Sequence, residues 1–138
     1  MSVDGTALLD CWERARSLAR PWRDLTLLEL VESDSTADLA RLPVGERDRR
    51  LLDLRTSLVG RTIECETDCP ACGERLALEL DAERFRTVAP ADVDRTVRCA
   101  GRTIRVRPPD SSDLAACLEA ADPEQTLVAR CTDHREGA

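Results

Sequence analysis

The sequence contains no lysine and no tyrosine, and it is poor in the other aromatic residues and in histidine. Phe85 is the only phenylalanine, Trp12 and Trp22 are the only tryptophans, and His134 is the only histidine. A hydrophobic core built from this composition must therefore be aliphatic. Because every basic residue is an arginine, and alanine and leucine are abundant, the composition is typical of a GC-rich bacterial genome.

The sequence also lacks the residue patterns on which catalysis depends. No nucleophile is visibly paired with the single histidine, and the acidic residues are scattered among arginines, which gives no support for a catalytic pair of carboxylates. There is no glycine-rich loop of the kind that binds phosphates. The sequence therefore predicts a protein that is not an enzyme.

Long apolar runs are missing as well, since none approaches the roughly 20 residues that a membrane-spanning helix requires. Asp4 and Asp10 interrupt the N-terminal apolar residues, where a signal peptide needs an unbroken apolar segment. The formal net charge is −7, and an acidic chain is repelled by phosphate backbones. We therefore expect a cytoplasmic protein whose partners include neither membranes nor nucleic acids.

The spacing of the apolar residues predicts an α+β fold in three parts. Residues 1–60 are predicted to form an N-terminal helical segment, and residues 61–107 a central pair of β-hairpins that resembles a zinc ribbon. Residues 108–138 are predicted to form short C-terminal helices that end in a frayed tail from Asp133 onward. We expect the three parts to pack as one compact unit.

The element boundaries follow from caps, prolines and glycines. Helices are predicted at residues 7–20, 22–32 and 44–59, with a loop at 33–36. Strands are predicted at residues 61–67, 74–80, 95–99 and 102–107, with one helical turn at 81–85. Ser111 or Ser112 is expected to cap the next helix, and Asp122 the last one. The first helix is expected to bury one face, consisting of Leu8, Trp12, Ala15 and Ala19.

A cysteine knuckle, Cys69-Pro70-Ala71-Cys72-Gly73, is the sharpest chemical feature of the sequence. Two thiolates separated by two residues can hold one metal ion from a tight turn, and zinc in structural sites takes four ligands tetrahedrally. Pro70 stiffens the turn, and Gly73 tolerates a positive φ as the chain leaves it. The alternatives are a metal-free turn with locally packed thiols and a redox dithiol, although a helix normally follows the latter and here a strand pattern follows.

The knuckle supplies only Cys69 and Cys72, so a structural Zn²⁺ needs further ligands. Cys131 and His134 have the internal spacing of a second pair, and Cys99 stands beside a predicted hairpin turn. A partner subunit or a second copy of this chain could supply the ligands instead, which makes a homo-oligomer one alternative. The remaining cysteines are expected not to bind metal: Cys65 lies too far along its strand, and Cys11 and Cys117 lie on apolar helix stripes.

The predicted helix at residues 44–59 is a candidate partner-binding surface. Arginine suits interfaces because its planar guanidinium pairs with carboxylates through two hydrogen bonds. The alternative is a solvated face held by intrahelical Glu–Arg pairs. The inward stripe is predicted to be Val44, Leu51, Leu54 and Leu58, and the outward face to carry Glu46, Arg47, Arg49, Arg50 and Arg55.

Three segments together resemble a known family. They are the run from Leu42 to Leu52, the knuckle with the Glu74-Arg75-Leu76 that follows it, and a C-terminal stretch that begins at Arg107-Pro108 and includes Asp122-Pro123 and Arg130-Cys131. This order is similar to the baseplate hub assembly chaperones of contractile phage tails and phage-tail-like contractile injection systems. Members of that family carry a second CPxC-type knuckle, whereas residues 1–138 contain one.

The resemblance implies a non-catalytic assembly factor or structural component of a baseplate, with hub, spike or tube proteins as its partners. A zinc-ribbon regulator that binds nucleic acid or the transcription machinery is the alternative from another functional class. The acidic charge and the absence of a basic stripe count against that alternative. An unassigned interaction module is the remaining hypothesis.

Overall fold

The computed structural model describes residues 4–86 and 95–134, except for the side chain of His134. In this part of the chain the predicted α+β class is confirmed: helices come first, two small antiparallel sheets follow, and two helices lie near the C-terminus. The helices are α1 (Gly5–Arg16), α2 (Trp22–Leu28), α3 (Thr36–Leu39), α4 (Val44–Val59), α5 (Ser111–Glu119) and α6 (Pro123–Cys131). The strands are β1 (Thr62–Asp68), β2 (Arg75–Asp81), β3 (Arg95–Cys99), β4 (Arg102–Val106) and β5 (Thr132–His134).

Helix α1 buries only part of the face that its apolar pattern predicts: Ala15 is buried and Leu8 is half-buried, whereas Ala19 is exposed and lies beyond the end of the helix. Cys11 and Ala15 are buried, and the Cys11 thiol donates to the carbonyl of Thr26 at 3.1 Å, which holds α1 against α2. The expected anchor Trp12 is instead 52% exposed. Its ring lies under the Arg16 guanidinium, 4.8 Å from the ring centroid. The prediction for Trp12 was wrong because α1 contacts mainly one other helix, α2, on the Cys11 side.

The main core lies between α2, α3 and α4. It consists of Leu25, Leu28, Leu39 and Ala40, with Leu42 and Leu51 packed against it. Helix α3 is one short turn, which Ser35 caps by accepting from the N–H of Asp38 at 3.3 Å. The sequence analysis predicted a loop at residues 33–36 and did not predict α3, because four residues are too few to show a helical period.

Helix α4 has the predicted boundaries, and Gly60 ends it with φ +87°. Leu54 is buried and Leu51 is half-buried, as the inward stripe requires. Leu58, however, is 40% exposed and lies on the surface. The last turn of α4 therefore extends beyond α2 and α3, which pack against the middle of the helix.

Arg47 corrects the predicted outward face of α4, because its residue is only 5% exposed. Its guanidinium donates to the Ser111 hydroxyl at 3.1 Å and to the Asp48 carboxylate at 2.7 Å. It also lies 3.7 Å from the Asp24 carboxylate on α2. The prediction failed because the start of α5, which is 64 positions later in the sequence, lies against Arg47.

The two predicted hairpins are confirmed as antiparallel pairs, and they belong to separate sheets. β1 pairs with β2 from Thr62–Asp81 to Asp68–Arg75. β3 pairs with β4, and β5 adds a third strand along β4. Strand β5 was not expected, since Asp133 and His134 were assigned to a frayed tail. The rest of that predicted tail, residues 135–138, lies outside the described residues.

The C-terminal helices are tied to the start of α4 by backbone hydrogen bonds. The N–H of Val44 donates to Pro109 at 2.9 Å, and the N–H of Ser111 donates to Ala40 at 3.1 Å. Asp110, rather than Ser111 or Ser112, caps α5 in a capping box with Asp113. These contacts place the start of α5 over Arg47.

We predict that Arg47→Met lowers the free energy of unfolding by about 2–3 kcal/mol, because it leaves the buried Ser111 hydroxyl and the Asp24 carboxylate without their shared partner. Chemical denaturation at pH 7 measures this. The matched control is Arg41→Met at an exposed position, where a change of less than about 0.5 kcal/mol is expected. Equal losses in the two variants would show that the buried contacts of Arg47 contribute nothing.

Candidate metal centre and interaction surface

The knuckle forms a tight turn at the tip of the ribbon made by β1 and β2. The N–H of Cys69 donates to the carbonyl of Glu74 at 2.8 Å, which continues the strand ladder by one pair. The N–H of Gly73 donates back to the carbonyl of Cys69 at 2.8 Å, and Gly73 has φ +72°. A positive φ at this position strains any residue with a Cβ, so the predicted role of Gly73 is confirmed.

The thiols of the knuckle are accessible, with Cys69 half-buried and Cys72 exposed. The pKa of Cys69 is lowered, chiefly because the backbone N–H of Ala71 donates to the sulfur, with the N–H and thiol of Cys72 adding to the effect. The thiolate is the form of cysteine that binds metals. The chemistry of these donors therefore fits half of a tetrahedral thiolate zinc site.

The structure does not bring the further candidate ligands Cys99 and Cys131 to the knuckle. Among the side chains that it describes, no group of three or more His, Cys, Asp or Glu residues could hold a metal ion. Cys99 is exposed at the end of β3. His134 pairs through its backbone with Ile104, and its side chain is outside the described part.

Cys131 lies in a different environment, buried at the end of α6. Its sulfur is 3.7 Å from a carboxylate oxygen of Asp113. Burial raises the pKa of the Cys131 thiol, and the Asp113 carboxylate raises it further. These surroundings favour the neutral thiol. The prediction that Cys11 is a core thiol is confirmed by its complete burial, and Cys117 is half-buried with its sulfur 3.4 Å from the carbonyl of Pro123.

The outward charges of α4 are paired within the chain. Glu46 accepts from Arg49 at 2.7 and 2.8 Å and from Arg50 at 2.9 Å. Arg50 also lies 3.4 Å from Glu32. Arg55 donates to the carbonyls of Gly60 and Thr62. Three of the proposed partner-binding residues, Glu46, Arg50 and Arg55, thus have intrachain partners, and the fourth, Arg47, is buried.

An apolar cleft of about 320 Å³ lies between α2 and the last turns of α4. Its wall is formed mainly by leucine side chains, and it is lined by Asp24, Leu27, Leu51, Leu54, Arg55, Leu58 and Val59. Val59 is exposed, as is Leu58. Sequence reasoning missed the cleft because it assigned Leu58 to the core.

A buried carboxylate, Asp113, was also missed. It is completely buried, accepts two hydrogen bonds from Arg107 at 2.7 and 2.9 Å, and accepts one from Arg130 at 2.8 Å. Burial opposes its ionisation, but the hydrogen bonds outweigh burial and lower its pKa. The signal in the sequence was the Asp110-x-x-Asp113 spacing of a capping box. This cluster ties α5 to α6 and to the chain after β4.

We predict that Glu46 makes stability depend on acid pH. Hydrogen bonds from Arg49, supported by Arg50, lower the pKa of Glu46 to about 2 from its ordinary value of 4.5. A carboxylate with a lowered folded-state pKa stabilises the fold above the unfolded-state pKa, and this stabilisation is lost as the pH falls through the folded-state pKa. Glu46→Gln should therefore cost about 1–2 kcal/mol at pH 7, and the difference should shrink between pH 4.5 and about 2.

Denaturant unfolding of the two proteins across this pH range measures the difference. The control is Glu119→Gln, which removes the same charge from an exposed position on α5. It should change stability by less than about 0.5 kcal/mol at every pH. A Glu46→Gln cost that stays constant down to pH 2 contradicts the prediction.

Comparisons with known proteins point to one family. A family model described as T4 bacteriophage base plate protein matches residues 24–134. The match runs from within α2 to the end of β5 and includes the core, the knuckle and the Asp113 cluster. No curated protein and no solved structure matches the chain. Since the matched region covers most of the sequence, the chain belongs to the T4 bacteriophage base plate protein family.

Proposed function

We propose that this protein is a non-catalytic assembly factor or structural component in the baseplate of a contractile phage tail or phage-tail-like injection system. The observation that carries this proposal is the family match over residues 24–134, since membership supports a structural or assembly role in a baseplate. We place the protein in the cytoplasm. In the described residues, no helix has both the length and the apolar character needed to cross a membrane.

The proposed partners are hub, spike or tube proteins, and the proposed contact is the cleft between α2 and α4. The charges on its rim have intrachain partners: Asp24 lies 3.7 Å from Arg47, and Arg55 donates to two backbone carbonyls. A partner would therefore gain more from the exposed apolar groups of Leu58 and Val59 than from the arginines. This moves the proposed interface from the arginines of α4 to the last turn of the same helix.

We also propose that Cys69 and Cys72 bind a structural Zn²⁺. The ion would fix the turn at the tip of the β1–β2 ribbon, because metal binding is coupled to local folding. Support comes from the turn geometry and from the accessible thiols. The two cysteines would supply two of the four ligands that zinc requires.

The interface is tested by Leu58→Arg, which places a charge in the cleft. Leu58 is partly exposed and near the C-terminus of α4, where a cation is favourable, so the protein should remain folded. Co-purification of hub, spike or tube proteins from the native host should fall about tenfold or more, as expected for the loss of roughly 1.4 kcal/mol of binding free energy. The yield of assembled particles should fall with it.

The matched control is Val128→Arg, which introduces the same charge at an exposed apolar residue in the last turns of α6. This variant should co-purify its partners normally. Normal particle yield from folded Leu58→Arg would remove the cleft as the interface. Equal losses in the two variants would show that the effect is not specific to the cleft.

Elemental analysis tests the zinc site. Protein that has never been exposed to a chelator should contain clearly more than about 0.2 zinc per chain, since a structural thiolate site binds tightly. The Cys69→Ser/Cys72→Ser variant should lose the zinc, and Cys117→Ser should retain it. Zinc that persists in the double variant would assign the metal to other residues.

A further inference from the structure

One face of the β1–β2 ribbon is apolar and largely uncovered. The strand register places three cross-strand pairs on this face: Ile63–Leu80, Cys65–Leu78 and Thr67–Leu76. Leu76 is 39% exposed and Leu78 is 42% exposed. An isolated two-stranded ribbon is at best marginally stable in water, so this face gains from being covered.

The opposite face of the ribbon is acidic. Its cross-strand pairs include Glu64–Glu79, two carboxylates directly across from each other, and Thr62–Asp81. Like charges in this position repel each other, and burial would increase the repulsion. The ribbon can therefore be covered on the apolar face, while the acidic face stays in water.

The knuckle continues the apolar face. Side chains alternate along a strand, so Cys69 has the same parity as Ile63, Cys65 and Thr67. The hydrogen bond from the N–H of Cys69 to Glu74 extends the ladder to this position. Cys69, the first cysteine of the knuckle, therefore lies at the tip end of the exposed apolar face of the ribbon.

The metal site needs further ligands and the apolar face needs a surface to cover it, so contact with another molecule could complete both. Two thiols make half of a tetrahedral zinc site, and the described side chains bring no third ligand to them. We propose, building on the zinc site proposed above, that two copies of this chain share one zinc ion. Each copy contributes Cys69 and Cys72, and the two ribbons pack through their apolar faces.

A twofold axis parallel to the ribbons gives this arrangement. It sets the two tips side by side, so that two equivalent knuckles surround one ion, and it brings the same patch of each copy into contact. The Leu76 and Leu78 side chains of the two copies then face each other. The acidic faces point away from the contact on opposite sides, where their repulsion is weakest.

The small size of the ribbon makes the association depend on zinc. Seven residues per strand span roughly 23 Å, and two strands cover a width of about 10 Å. Such a face offers roughly 230 Å² per copy, against the roughly 800 Å² per partner of a typical stable interface. The apolar contact alone is therefore insufficient, and the shared metal must hold the pair.

Light scattering after size exclusion, combined with elemental analysis of the full chain, tests the proposal. The probe is zinc alone, added to chelator-treated protein. Without zinc, the expected mass is that of one chain, 15.3 kDa. With zinc the mass should double, and the bound metal should reach about 0.5 per chain, because one tetrahedral site is shared by two copies.

Variants separate the two components of the interface. Cys69→Ser/Cys72→Ser should remove both the zinc and the dimer. Leu78→Glu on the apolar face should raise the protein concentration needed for zinc-dependent dimers at least about tenfold. Glu79→Gln, the neighbouring change on the acidic face, should dimerise like the natural chain, and Cys99→Ser should keep about 0.5 zinc per chain.

Each contrary outcome has a distinct meaning. A monomer with about one zinc per chain would overturn the shared site and leave the zinc site itself standing. A chain that binds no zinc would overturn both proposals. A dimer that survives chelation, or one that Cys69→Ser/Cys72→Ser leaves intact, would show that association does not use the metal.

Discussion

The buried guanidinium of Arg47 connects segments that are far apart in the sequence. It lies between the Asp24 carboxylate on α2 and the Ser111 hydroxyl at the start of α5. The Asp48 carboxylate accepts a further hydrogen bond from the same guanidinium. A buried charge is tolerated only when its donors are paired, and an unpaired one costs several kcal/mol. The packing of the first helices against the C-terminal helices therefore depends on all three partners being present.

A second charged cluster, two residues further along α5 from Ser111, also connects segments that are far apart in the sequence. The buried carboxylate of Asp113 accepts hydrogen bonds from Arg107, from Arg130 and from the backbone N–H of Asp110. The backbone N–H of Asp113 donates in turn to the Asp110 carboxylate, which completes the cap of α5. Charge-assisted hydrogen bonds of this kind are stronger than neutral ones. The chain has few aromatic residues, so the apolar faces of its helices are small and bury little area. The charged clusters around Arg47 and Asp113 therefore help to fix how these helices pack.

The β1–β2 ribbon contrasts with this tightly connected helical part. Its strands contact mainly each other, and Leu76 and Leu78 on its apolar face are exposed. Among the described side chains, no third metal ligand joins the two cysteines at its tip. The cleft at Leu58 is another apolar surface that is left open. Both surfaces suit a protein of a baseplate family, since a subunit in a multi-protein assembly must expose some apolar area before its partners arrive.

The sequence by itself determined the features that depend on neighbouring residues. The boundaries of α4, the turn at Gly73 and the start of α6 at Pro123 follow from local caps, glycine and proline, and the two hairpins follow from alternation and turns. Tertiary structure alone decided that Arg47 is buried, that Leu58 is exposed and that β5 pairs with β4. These outcomes depend on contacts between residues far apart in the chain. Hydrophobic periodicity shows which side of a helix can be buried, but only packing decides which neighbour covers it.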